Sequence, residues 1–176
     1  MSTISAFKAQ MQGGGARANQ FRVELTFPAF VGGQAAAAGQ AAQFLCKATT
    51  LPASVLEDSF VNFRGRPVHM AGERSYQPWS VTIFNDTNFL IRNVMERWSN
   101  GIVSYSSTNG IMRPTDYQVD LAVHQLDRND KVIKTYKLYD AWPQDVGPIA
   151  LDFDANNQVE TFDVVFLYNY FTTDGI

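Results

Sequence analysis

From Phe21 to Phe27, the apolar residues Phe21, Val23, Leu25 and Phe27 alternate with Arg22, Glu24 and Thr26, the period of two that places every second side chain on one face of a strand. A second strand is predicted from Gln43 to Thr49, ending at Leu51-Pro52, where proline removes a backbone donor and favours an extended residue before it. Trp79, Val81 and Ile83 alternate with Ser80 and Thr82 and predict another. The period then changes. Ile91, Val94, Met95 and Trp98 fall at helical spacing opposite Arg92, Asn93, Glu96 and Arg97, which predicts an amphipathic helix capped by Asn85, Asp86 or Thr87 and stopped by Asn100-Gly101. Alternation resumes from Tyr117 to Val123, turns through Asp127 to Asp130 and continues in KVIKTYKLY as a hairpin. In the last and clearest strand, Phe162, Val164, Phe166, Tyr168 and Tyr170 share a face, with Thr161, Asp163 and Asn169 on the other.

Three stretches lack a period. Residues 1–18 read as a flexible N-terminal arm with a GGG joint at Gly13 to Gly15. Val31 to Ala42, VGGQAAAAGQAA, has side chains too small to build a layer and reads as a loose insertion in which the AAAA core forms at most one helical turn. Leu51 to Pro78 is punctuated by Pro52, Gly65, Pro67, Gly72 and Pro78 and reads as a long extended loop carrying short strand fragments. The whole, residues 1–176, is expected to be one mainly β domain, an antiparallel barrel or sandwich with one flanking helix and a long inter-strand loop.

Composition narrows the function. With 45% hydrophobic, 13% aromatic and 18% charged residues the chain is expected to fold, and its net charge of -3 supplies no overall field for nucleic acid or an anionic membrane. The single cysteine, Cys46, reads as a buried structural thiol, and the N-terminus carries no export signal, so synthesis in a reducing cytoplasm is expected. His69 and His124 lie in separate strand-like pieces without a second ligand or nucleophile at usable spacing. Asp152, Asp154, Asn156 and Asp163 imitate a calcium loop, but Asn157 replaces the turn glycine and a strand follows, so they read as turn formers. Phe21, Phe44, Trp79, Trp98, Phe162 and Phe166 lack the interleaved cations of a base-stacking groove and read as core. No catalytic, cofactor or metal residue is assigned, and an enzyme is the weakest reading.

Three stretches taken together, QFRVEL, CKATTLPASVLEDSFVNFRGRPVHMAGERSYQPWSVTIFND and AWPQDVGPIALDFDANNQVETFDVVF, resemble the tail tube proteins of contractile-tailed bacteriophages. The likeness keeps its order along most of the chain, and only the insertion at 31–42 departs from it. It implies a two-sheet β-barrel with a flanking helix, assembled as hexameric rings stacked into a hollow tube through which the genome leaves. Tail sheath, tape-measure, baseplate and tail-terminator proteins would be partners, double-stranded DNA would pass without specific binding, and the location would be the virion. A ring protein of a type VI secretion system, the tube of a phage-derived injection particle and, from another class, a monomeric ligand-binding barrel remain as alternatives.

On this reading the segment from Leu51 to Pro78 is expected to form the contact between successive rings through Leu51, Pro52, Val55, Phe60 and Phe63, with Arg64, Arg66 and Arg74 pairing with acidic groups of the next subunit. A loop folded onto its own subunit is the alternative. Arg22, Glu24, Thr26, Ser80 and Thr82, the polar members of alternating strands, are expected to line the lumen or else to face the exterior.

Overall fold

The computed structural model describes residues 3–11, 14–107 and 109–174; Gly13 of the expected joint lies outside these residues. Among them are four α-helices and nine strands: α1 (Ile4–Gln10), β1 (Phe21–Glu24), α2 (Ala35–Leu45), β2 (Cys46–Thr49), β3 (Ser54–Phe63), β4 (Arg66–Tyr76), β5 (Trp79–Phe84), α3 (Leu90–Ile102), α4 (Pro114–Tyr117), β6 (Val119–Leu126), β7 (Val132–Val146), β8 (Thr161–Leu167) and β9 (Tyr170–Thr173).

Seven strands form one antiparallel path in the order β1-β6-β7-β8-β5-β2, with β9 also paired to β7. The path has two limbs because β7 serves both. Its first part, residues 132–141, pairs with β6 and, at 136–139, with β9, whereas residues 142–146 pair with β8. The change of partner falls between Ala141 and Trp142, flanked by Asp140, which adopts a positive φ of 56°, and by Pro143, a residue with no backbone donor for the ladder. Asn169, in the break between β8 and β9, secures the bend: its amide N–H donates to the Tyr139 carbonyl at 3.0 Å and its side-chain amide donates to Asp140 at 3.0 Å. The result is an antiparallel sandwich rather than a closed barrel.

The strictest alternation found in the sequence belongs to this path. Trp79, Val81 and Ile83 of β5 and Phe162, Val164 and Phe166 of β8 are buried on one face, joined by Val23, Leu121, Val123 and Leu138 of the other limb. Helix α3 closes that face with Ile91, Val94, Met95 and Trp98, all at most 1% exposed. Trp98 meets Phe27 edge to face at 5.8 Å and donates its indole N–H to the Tyr117 carbonyl at 2.8 Å, so its polar atom is satisfied inside the core. The expected capping by Asp86 is real, but it acts from outside the first turn, its carboxylate accepting from the Leu90 N–H at 2.9 Å. Asn100-Gly101 does not stop α3, which runs on to Ile102.

Several expectations need correction. The insertion at 31–42 is not loose: Ala29–Val31 make a 3-10 turn and α2 follows, with Ala38 and Ala42 fully buried against β1 and α3. Alanine is the strongest helix former, and its small side chain lets a helix lie close to its neighbour. Because α2 continues to Leu45, the strand expected from Gln43 begins at Cys46, and Phe44 is 85% exposed instead of in the core. Residues 4–10 of the expected arm are helical, with the Thr3 hydroxyl accepting from the Ala6 N–H. The last expected strand is broken in two, and Tyr170 leaves the buried row for the exposed surface. Most of Leu51 to Pro78 is a hairpin of β3 and β4 with one register shift, not a loop with short strand fragments.

Candidate assembly surfaces

The β3–β4 ribbon is built from the turn outward. Phe63 pairs with Arg66, leaving Arg64-Gly65 as a two-residue connection with φ of 49° and 80°, the left-handed pair that suits the natural twist of a hairpin. Toward the base, the register shifts between Leu56 and Asp58, and Gly72 lies there with no room for a side chain: a Cβ would sit 2.9 Å from the Glu57 carbonyl oxygen. Polar side chains fasten the ribbon across its width. Arg74 donates to the Ser54 hydroxyl at 2.7 Å, Ser75 donates to Glu57 at 3.1 Å, and His69 Nδ1 lies 2.7 Å from Asp58 Oδ2.

Register sorts the distal residues onto two faces. Val61, Phe63, Val68 and Met70 share one face with Ser59 and Arg66; Phe60 shares the other with Asp58, Asn62, Pro67, His69 and Ala71. The four apolar side chains of the first face are 50–65% exposed, so the ribbon presents a continuous hydrophobic stripe to solvent. An isolated two-stranded ribbon is marginal in water, and a stripe of this kind is a candidate surface for association.

The expected contact residues therefore divide. Val55, Phe60, Phe63, Arg64, Arg66 and Arg74 are exposed along the ribbon, with Phe60 and Phe63 on opposite faces; Leu51 is exposed before its base, and Pro52 is buried in its own chain. The expected lumen residues also divide. Arg22 and Glu24 project from the non-core face of β1, and Ser80 and Thr82 from that of β5, on the other limb. Thr26 lies just beyond β1, and its hydroxyl donates to the Asp120 carbonyl.

Sequence reading did not single out the charged cluster beside β1. Arg22 and Glu24 lie 3.6 Å apart, His124 Nε2 is 3.4 Å from Glu24, and Lys137 reaches Asp120 at 3.1 Å, which raises the lysine pKa. Lys137 also lies over the Tyr139 ring, which stacks on Tyr170 at 4.6 Å. Cross-strand register brings these residues together, and the pairing of β6 with β7 was the sequence signal for part of it. Cys46 is half-buried, and desolvation pushes its thiol up to about 12, outweighing a smaller lowering by backbone hydrogen bonding at Ala48. Asp152 acts as the sequence suggested, its carboxylate accepting from the Asp154 N–H at 2.9 Å, whereas Asp154 accepts from the Asn156 N–H through its backbone carbonyl and Asp163 is no turn former but a β8 residue that accepts from the Thr82 hydroxyl at 2.5 Å.

Two further features bear on association. The first limb ends at β1 and β9 and the second at β2 and at residues 142–146 of β7, each with a strand partner on one side alone. The segment between β7 and β8 carries Leu151, Phe153 and Val159 in the open.

Residues 16–174 match the family described as phage tail tube protein. The chain is 32% identical over 156 residues to tail tube protein gp19 of Enterobacteria phage T4, covering 88% of this chain and 90% of that protein. It is 32% identical over 166 residues to the tail tube protein of Serratia phage KSP90, covering 92% of each. Among solved structures, a chain of the anti-feeding prophage tube-terminating cap superposes with a TM-score of 0.66 at 13% identity over 90% of both chains. A chain of the sheath-tube complex of the extracellular contractile injection system PVC superposes with a TM-score of 0.60 at 10% identity, over 96% of this chain and 97% of that one.

Proposed function

Because the chain belongs to the phage tail tube protein family, we propose that it forms hexameric rings that stack into the hollow tube of a contractile tail, the conduit for the genome. The observation that carries this reading is the β3–β4 ribbon, whose hydrophobic stripe has no cover in its own subunit. Completing the burial of each half-exposed side chain on that stripe contributes about 1 kcal/mol, so four of them supply a contact that six-fold repetition multiplies. The edge strands β1, β9 and β2 supply the complementary need, since closure of neighbouring sheets into a ring removes edges that otherwise invite disordered pairing.

On this reading Leu51, Val55, Phe60, Phe63, Arg64, Arg66 and Arg74 serve the contact between rings, while Pro52 anchors the ribbon base. The tube would work with tail sheath, tape-measure, baseplate and terminator proteins in the virion. The superpositions on chains of the anti-feeding prophage cap and of the PVC sheath-tube complex support the fold alone; the tube of a phage-derived injection particle is the second reading, and packaged DNA in purified particles distinguishes the two.

Electron microscopy of the purified chain is the direct test, with rings and tubes expected. A variant in which an Asn-Gly turn joins Val55 to Ser75, removing residues 56–74, is expected to fold yet to give no long tubes; tubes of normal length would reject the ribbon's role. Placement of the lumen is tested by cysteine at Glu24 or Thr82, one on each limb, with Cys46→Ser as background. The residue that lines the lumen is expected to be shielded from a bulky thiol reagent in tubes and open in subunits. Equal labelling of both residues in both states rejects a lumen position for either.

A further inference from the structure

The ribbon and the segment between β7 and β8 leave the molecule from opposite ends of one strand. The ribbon joins the body at the Trp79 end of β5, where the Gln77 N–H donates to the Ala53 carbonyl and the Trp79 indole donates to the Thr50 carbonyl. The β7–β8 segment begins at Gly147 and returns at Glu160, at the Phe84 end of the same strand, since Phe84 pairs with Thr161. Asn85 fastens that foot: its backbone N–H donates to the Glu160 carbonyl at 2.9 Å and its side chain donates to the Glu160 carboxylate at 3.0 Å. Six residues of β5 separate the two ends by about 17 Å.

Their chemistry is opposite and matched. From Phe60 to Met70 the ribbon tip carries Arg64 and Arg66 and no carboxylate, while residues 147–160 carry Asp152, Asp154 and Glu160 and no cation. Each combines its charge with exposed apolar bulk, Phe63 at one end and Leu151 and Phe153 at the other, with Phe153 wholly outside the fold. The acidic end is preorganised: Asp152 closes a turn on the Asp154 N–H, and Asn157 takes a left-handed φ of 62°, so Phe153 is held out by local hydrogen bonding.

We propose that the ribbon tip of one copy docks on residues 151–154 of the next copy, Phe63 packing with Phe153 and Leu151, and Arg64 and Arg66 facing Asp152 and Asp154. This rests on the stacked-ring reading and names the surface that receives the ribbon. Both halves of the contact lie on every chain but at opposite ends, so the interface is head to tail and propagates along the β5 direction instead of closing on itself. The aromatic anchors supply affinity, and the charges set polarity, since two tips or two acidic ends repel each other.

The test combines cross-linking with charge reversal. In a Cys46→Ser background, chains with Phe63→Cys and differently tagged chains with Phe153→Cys are mixed and treated with a short bismaleimide. The expected product joins the two kinds of chain, with like-to-like products at background. Separately, Arg64→Glu with Arg66→Glu, or Asp152→Arg with Asp154→Arg, is expected to lower tube yield at least tenfold, and all four changes together to restore it. Normal yield from either reversal, or no recovery in the fourfold variant, overturns the pairing. Wild-type tubes without a mixed cross-link reject this docking surface alone. A wild-type chain that stays monomeric at every concentration rejects the stacked-ring reading, and a missing mixed product there rejects the pairing too.

Discussion

Replacing Gly39 by alanine sets two effects of known size against each other. Gly39 lies within α2, where alanine is favoured over glycine by about 0.8–1.0 kcal/mol through backbone entropy and helix propensity. A Cβ built at Gly39, however, would stand 2.8 Å from the Leu25 carbonyl oxygen, with the Phe27 ring at 4.0 Å. That obstacle is backbone, continuous with β1, so relief requires α2 to move away and to loosen Ala38 and Ala42, both at 0% exposure. Overpacking of this kind costs roughly 1–3 kcal/mol, so the clash wins and the net loss is about 1 kcal/mol. For a chain of this length that lowers Tm by about 2–4 °C. Thermal unfolding followed by circular dichroism on dispersed subunits measures it, because assembly would add its own concentration-dependent stabilisation. Ala37→Gly, at an exposed position of the same helix, is the companion variant and is expected to cost about 1 kcal/mol by propensity alone. If Gly39→Ala melts at or above the wild-type temperature while Ala37→Gly melts below it, the close approach of α2 to Leu25 is wrong.

Gly65→Val forces a β-branched residue to φ of 80° and is expected to impair tube formation while leaving the subunit Tm within about 1 °C, since the ribbon touches the core through Tyr76 at its base and not at its turn; unchanged assembly would refute a specific turn requirement. Cys46, with its thiol pushed up to about 12 by burial, is expected to alkylate at pH 8 at least tenfold more slowly in the native chain than in urea, and comparable rates would show that the thiol is not desolvated. The Asp127 carboxyl accepts from the Lys131 and Asn129 N–H groups, which lower its pKa. Because the folded value is depressed, its contribution to the β6–β7 turn is full above the ordinary carboxylate range and fades as the pH falls through the lowered value. An NMR titration is expected to give a midpoint below that range, and a midpoint at or above it contradicts the turn.

Strand alternation was readable wherever one face of a strand is buried and the other is not. Trp79 to Phe84 and Phe162 to Phe166 meet that condition, and their sequence pattern maps directly onto the core. The ribbon fails it, because both faces are exposed in the subunit and apolar residues fall on each, so burial imposes no period of two. Its available signal was Arg64-Gly65 between apolar runs, a two-residue hairpin connection. Helix α2 was hidden for another reason: alanine and glycine have too little polarity contrast to draw an amphipathic stripe, although Ala38 and Ala42 stand at helical spacing. The end of the last strand went wrong at Asn169, whose side chain serves the bend in β7, a long-range partner that no local window contains. The sequence offered candidate contact and lumen residues by type alone, whereas which of them share a face depends on register and on which limb each strand joins.

The passage of β7 through both limbs has a mechanical meaning. A force that tries to separate the limbs meets a covalent backbone between Ala141 and Trp142 and, on either side of it, ladders to β6, β9 and β8 whose hydrogen bonds must give way together. Contacts between copies in the proposed tube would have no such covalent thread. A tube of these subunits pulled along its axis is therefore expected to part at the joints between subunits, leaving each subunit intact on either side of the break.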